Sequence, residues 1–250
     1  MASVHWKRRS GRIRFILAFV FAAACCGGDP PPGLLRRVAE REAENERERR
    51  HYLYRQTVVF EELDAKGRKT GEYREVREVI FSPESERIER VTYGPVNTLT
   101  RLLLTPEDFR DLREVQPLLL TPDRLWSYEA RYRGEEFVDG VACWLLQIRP
   151  RQILEGQRLF DGLLWVSQQD FSIVRMEGQA VPPLYRGGKE NLFPRFTTLR
   201  ALVDGRHWFP VYTFADDVLP FRSGPQRIRL RISYADYRRF GAESRVKFEP

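Results

Sequence analysis

From Tyr52 onward, apolar and polar residues alternate with a period of two over much of the chain, the pattern of half-buried β-strands. Tyr52–Phe60 is rich in aromatic and β-branched residues, Lys66-Gly67 makes a turn, and Tyr73–Phe81 returns until Ser82-Pro83 ends it. Arg87–Tyr93 reads as a further strand that Gly94-Pro95 is expected to stop. The period then becomes helical. Thr105-Pro106-Glu107-Asp108 supplies a cap hydroxyl, a first-turn proline and acids, followed by Phe109, Leu112 and Val115; Thr121-Pro122-Asp123 repeats the signal before Leu125 and Trp126.

A series of hairpins follows. Tyr128–Phe137 turns at Asp139-Gly140 into Val141–Ile148, Leu159–Val166 turns at Gln168-Gln169-Asp170 into Phe171–Met176, and Phe196–Val203 turns at Asp204-Gly205 into Trp208–Ala215. Arg227–Tyr234 alternates strictly, predicting one buried face and one face of arginines in water. Leu163-Leu164-Trp165-Val166 is apolar on both faces and must be covered on both, by the two helices on one of them. The stretch 178–194, with Pro182-Pro183 and Gly187-Gly188, reads as a long loop. The expectation is an α+β fold: nine to eleven strands in one large curved antiparallel sheet, a half-open barrel, with a few short helices on the concave face.

The first 25 residues are of another kind. Lys7, Arg8, Arg9, Arg12 and Arg14 precede the apolar run Phe15–Ala24, which ends in Cys25-Cys26-Gly27-Gly28. This is the layout of a secretory signal, and the run is shorter than the roughly 20 residues that span a bilayer. Ala22-Ala23-Ala24-Cys25 approximates a lipobox, which makes Cys25 a lipidation candidate; cleavage after Ala24 by an ordinary signal peptidase is the alternative. Residues 26–50 divide into a tether, Gly27–Pro32, and a charged segment, Leu34–Arg50, read as a short solvated helix. Residues 51–242 form the β domain and 243–250 a tail.

The formal charge of +7 is mostly a property of this signal. Removing its five basic residues from the 42 in the chain leaves 37 against 35 acidic ones, interspersed along the sequence, so no nucleic-acid partner is implied. Cys143 lies in an apolar strand as a buried thiol, with a bridge to Cys26 open in an oxidising compartment.

The chemistry-bearing residues are sparse. His51 and His207 have no metal-ligand spacing, and no nucleophile elbow, phosphate loop or dinucleotide motif occurs, so the sequence offers no catalytic centre, metal site or cofactor. His207, beside Trp208, reads as structural. Asp216-Asp217 would point to opposite faces of a strand, which suits a structural role, holding backbone or weakly a calcium-like ion, better than a catalytic pair. Aromatic residues concentrate in the second half, as core or as the wall of an apolar groove.

Two segments carry a family likeness. Tyr132–Leu146, with Gly134, Val138-Asp139-Gly140 and an apolar strand, resembles a hairpin of LolA-like periplasmic proteins; Leu164–Arg175, with Trp165-Val166 and the Gln168-Gln169-Asp170 turn, resembles their next hairpin, Ser167 standing where that pattern commonly has Asp. The chain thus looks like a divergent member of the LolA-like and LolB-like lipoprotein-sorting superfamily. The resemblance implies a half-open barrel with a helical lid, and a non-enzymatic monomer of the periplasm or outer membrane that binds acyl chains of lipoproteins or phospholipid, reaching the membrane through a lipid anchor. Candidate cavity residues are Phe109, Leu112, Trp126, Leu146, Trp165 and Phe171. The alternative is an envelope sensor or interaction lipoprotein that docks a protein partner through its sheet or the 178–194 loop.

Overall fold

The computed structural model describes residues 29–114, 120–182, 184–186, 189–191 and 194–240, so the signal, Cys25, Cys26 and the 243–250 tail lie outside it. Helix α1 (Leu34–Arg49) leads into β1 (Tyr52–Leu63), β2 (Lys69–Phe81) and β3 (Arg87–Asn97). Helix α2 (Pro106–Glu114) and a 3-10 helix (Pro122–Ser127) follow, then β4 (Tyr128–Val138), β5 (Val141–Pro150), β6 (Leu159–Ser167) and β7 (Ile173–Val181). A small hairpin, β8 (Leu184–Arg186) and β9 (Lys189–Asn191), precedes β10 (Phe196–Val203), β11 (His207–Leu219) and β12 (Gln226–Arg239).

Ten strands make one antiparallel sheet in the order β3-β2-β1-β12-β11-β10-β7-β6-β5-β4, open at β3 and β4. The α+β reading therefore holds. Hairpins connect most neighbours, and Asp139-Gly140 and Asp204-Gly205 both adopt the positive φ at two successive residues that the tight type I′ turn needs. The first and last long strands close against each other as the β1–β12 seam, Val58 opposite Ile232 and Phe60 opposite Leu230.

One face of the sheet carries the main core, built from Tyr54, Val58, Phe60, Leu146, Leu164, Phe196, Leu230 and Ile232 among others, with α1, α2 and the 3-10 helix laid over it. A smaller cluster of Cys143, Leu145, Trp165 and Val174 lies apart from it. The doubly apolar strand β6 explains both. Leu164 pairs with Leu146 in the main core, while its neighbour Trp165 pairs with Leu145 on the reverse face, as a period of two demands. That reverse cluster is covered by side chains and not by a helix: Arg175 stacks 4.6 Å from the Trp165 ring, and Trp165 Nε1 donates to Glu136 at 2.7 Å. Cys143 is free and fully buried, and burial, with Glu136 adding to it, pushes its thiol up to about 11.

Three expectations are corrected. The charged segment before β1 is docked and not solvated: α1 buries Leu34, Val38, Ala39, Glu42 and Asn45 on one face, because the apolar content is short and the stripe is completed by polar residues with partners. Strand β3 continues through Gly94-Pro95 to Asn97, with irregular register opposite Arg74–Arg77; an edge strand tolerates a proline whose missing N–H faces no partner. The loop expected at 178–194 is shorter, since β7 runs to Val181 and a two-stranded hairpin forms within it.

Candidate functional site

The element that places chemistry at the mouth of the curved sheet is α2. Its approach is fixed by Glu62 at the end of β1, a buried carboxylate that accepts backbone N–H bonds from Thr100, Arg101 and Leu102, the last two at 2.6 Å. Burial alone would raise this carboxyl; the bonds from Leu102, Thr100 and Arg101 outweigh it and hold the group below the usual carboxylate range. Thr105 and Asp108 then start the helix. The Asp108 carboxylate reaches back to the Thr105 backbone N–H at 2.7 Å, an acidic version of the capping box.

From there α2 bridges two parts of the sheet that are far apart in strand order. On one side Phe109 packs 5.7 Å from the Tyr73 ring of β2. On the other, Arg158, just before β6, donates from Nε to both oxygens of the buried Asp111 at 3.1 and 3.0 Å, and from Nη2 to Oδ2. Arg158 Nη1 also donates to the Pro182 carbonyl after β7. Leu112 is buried in the main core between these contacts. Strands β2 and β6 can be joined through one short helix only if the sheet curls around it.

Beside α2 lies a pocket of about 370 Å³ lined by Glu107 and Arg110 of the helix, by Ile153–Arg158 of the β5–β6 connection, and by Pro182. Its size falls in the range of small-ligand sites, roughly 300–1,000 Å³. Ile153, Leu154 and Pro182 give it an apolar wall, and the Arg158–Asp111 pair closes one side. Arg110 contributes a cationic rim.

The β2–β3 side of the concave face is ionic. Tyr73 donates to Glu75 at 2.7 Å, Arg77 pairs with Glu75 and, at 2.5 Å, with Glu89, and Arg87 binds Glu89 and the Tyr54 hydroxyl, each at 2.7 Å. Burial pushes the Tyr73 hydroxyl up, and its bond to Glu75 adds to that. Burial would raise Glu89, and Arg87 and Arg77 more than reverse this. Buried charges of both signs are thus matched within reach of Phe109, whose ring lies 6.0 Å from the Arg77 guanidinium.

The six cavity candidates do not form one set. Phe109, Leu112, Leu146 and Phe171 share the concave core. Phe171, in the left-handed region at φ 63, packs at a tilt 5.0 Å from Trp144 and lies 3.7 Å beneath the Arg37 guanidinium of α1. Trp165 faces the other way, and Trp126 on the 3-10 helix is 67% exposed. The pocket residues Arg110, Ile153, Leu154 and Arg158 were not singled out by the sequence; their only signal was a polar, Gly-containing connection carrying an Ile-Leu pair at positions 153–154. His207 is buried, stacked 6.0 Å from Phe209 with Nε2 3.8 Å from Glu48, a structural setting. Asp216 accepts hydrogen bonds from Arg227 and Arg229, and Asp217 from the Val218 backbone, so the acidic pair neutralises the arginine row of β12 and holds backbone. Among the described residues no group of three or more His, Cys, Asp or Glu side chains could hold a metal ion, and no helix is long and apolar enough to cross a membrane.

No protein-family model matches the sequence, and no curated protein matches it. Among solved structures the chain is similar to a DUF1329 family protein from Desulfovibrio piger, at 15% identity and a TM-score of 0.42, with 86% of this chain and 96% of that one covered. It is similar to an outer membrane lipoprotein-sorting protein domain from Vibrio parahaemolyticus, at 11% identity and a TM-score of 0.40, covering 81% and 92%. A LolA superfamily protein from Nitrosomonas europaea follows at 15% identity and a TM-score of 0.35, covering 81% and 94%.

Proposed function

We propose that this protein is a non-enzymatic binder of acyl chains in the cell envelope, exported by its N-terminal signal and tethered to a membrane through Cys25. The acyl chain of a lipoprotein or phospholipid enters beside α2, along Ile153, Leu154 and Pro182, and continues under the helix toward Phe109, Leu112, Leu146 and Phe171. The observation that carries this reading is the placement of α2: a nine-residue helix lies across the mouth of the curved sheet, latched by Asp111 to Arg158, next to a half-apolar pocket. Burying a chain yields about 0.8 kcal/mol per CH₂, so an apolar path supplies affinity without chemistry. Displacing the helix opens the path. The test is titration of the full chain with a fluorescent fatty acid. Saturable binding that Leu154→Asp weakens at least tenfold is expected; unsaturable binding, or binding that the substitution leaves unchanged, rejects the reading.

A second reading rests on the free edge of the sheet. Among the described residues strand β3 has no outer neighbour, and it exposes Val91, Tyr93 and Val96, which suits docking of a protein partner by strand addition. A partner recovered in stoichiometric amount, with no acyl binding, would favour it.

A further inference from the structure

Four large apolar side chains project into solvent at one end of the sheet: Leu103, Trp126, Ile153 and Leu154, at 50%, 67%, 37% and 49% exposure. The topology puts them together. At this end β3 finishes, β4 begins, β5 finishes and β6 begins. Leu103 lies between β3 and α2, Trp126 on the 3-10 helix that enters β4, and Ile153 and Leu154 between β5 and β6. Two contacts join these pieces. The Arg151 N–H donates to the Ser127 carbonyl at 2.8 Å, tying the β5–β6 connection to the 3-10 helix, and α2 shares the pocket with Ile153 and Leu154. Ile153 and Leu154 line the pocket, and Leu103 and Trp126 lie on the segments that flank it at the same end of the sheet.

We propose that this rim docks on a lipid bilayer, with Leu103, Trp126, Ile153 and Leu154 seated at the boundary between headgroups and acyl chains. The proposal rests on the acyl-chain reading for its purpose and on separate observations for its occupant. Exposed Trp beside aliphatic tips suits an interface that is wet on one side and apolar on the other. The chain outside the described residues points to the same occupant: the lipidation candidate Cys25 precedes α1, and only eight residues lie between it and Leu34. That length reaches at most about 30 Å. Helix α1 packs against the 3-10 helix that carries Trp126, so a tether at Cys25 holds the rim near the membrane. The surrounding charges nearly balance, Arg101, Arg110, Arg124 and Arg151 against Glu107, Asp123 and Glu155. Docking is therefore by apolar insertion and not by attraction to anionic lipid. It also brings the pocket mouth to the acyl chains themselves.

The test is hydrogen–deuterium exchange of the full chain with and without phosphatidylcholine vesicles, paired with vesicle flotation. The expected result is protection confined to residues 101–105, 122–127 and 151–158, with the opposite-end turns at 139–140 and 204–205 unchanged. L103S/W126S should weaken flotation at least tenfold, since each buried large side chain is worth roughly one order of magnitude. Phe137→Ser, 81% exposed at the opposite end, should have no effect, and high salt should not release the protein. Exchange protection absent from 101–105, 122–127 and 151–158, or equal loss in Phe137→Ser, overturns the proposal. Fatty-acid titration of L103S/W126S without vesicles reads the carrier function separately: docking without acyl binding defeats the carrier reading alone, and acyl binding without docking defeats this one alone.

Discussion

Arg200 of β10 donates from one nitrogen to both carboxylate oxygens of Glu42 on α1, at 2.7 and 2.9 Å, with each side chain only 3% exposed. This buried ion pair fastens a helix whose sequence is dominated by charge. Removing one partner leaves the other charge buried and alone, so Glu42→Ala or Arg200→Ala should cost about 3–5 kcal/mol of unfolding free energy in urea titrations. E42M/R200M, which removes both charges and keeps the volume, should lie within about 1–2 kcal/mol of the wild type. A double-variant loss equal to the sum of the two single losses would show that the pair contributes no coupling.

The latch on α2 should behave as a local device. Arg158→Ala uncouples Asp111 and the Pro182 carbonyl at once. Deuterium exchange over residues 106–114 should accelerate by at least tenfold, while the β1–β12 seam keeps its protection. Acceleration spread evenly over the sheet would mean that Arg158 serves global stability and not the helix.

Phe160 lies over a pair of glycines that face each other in register, Gly162 of β6 and Gly178 of β7. A Cβ at Gly178 would stand 2.5 Å from Phe160 Cζ and also meet the Asp161 carbonyl; one at Gly162 would stand 2.6 Å from the same ring atom. Gly178→Ala should therefore destabilise by about 1–3 kcal/mol through overpacking, and Phe160→Leu in the same chain should recover part of the loss. Thermal unfolding of the single and double variants measures both.

Stability should fall on mild acidification through Glu62 and Glu89. Both carboxyls titrate below their ordinary value of 4.5 in the folded state. Their contribution is complete above that value and is lost as pH falls below it toward the folded pKa. Urea midpoints between pH 6 and about pH 3 should decline for the wild type. The decline should be shallower for Glu62→Gln, which already lacks the charge-assisted bonds and starts about 2 kcal/mol lower. Parallel curves would exclude Glu62 as a source of the pH dependence.

Much of the sheet was legible because the governing rules are local. The Asp-Gly turns, the alternation of Arg227–Tyr234 and the two proline-led helix starts each fix an element within a few residues. Facing was not read through to the cavity: Trp165 was grouped with Leu146, although Leu146 pairs with its neighbour Leu164 and a period of two turns Trp165 to the reverse face. The α1 contacts were hidden because Glu42 and Asn45 complete its buried stripe, and their partners lie on β10 and in the β6–β7 turn, more than 100 residues away. Asp111 and Arg158 share that property: each is an ordinary charged residue until the curl of the sheet brings them together.

The central claim is that acyl chains are bound beside and beneath α2. Native mass spectrometry of the chain, purified gently from an envelope fraction, tests it most directly. The expected spectrum carries an added mass matching phospholipid or an acylated peptide, displaced by excess fatty acid and lost in Leu154→Asp. A clean apo mass for the wild type, with a protein partner recovered in its place, would contradict the claim and move the function to the free edge of β3.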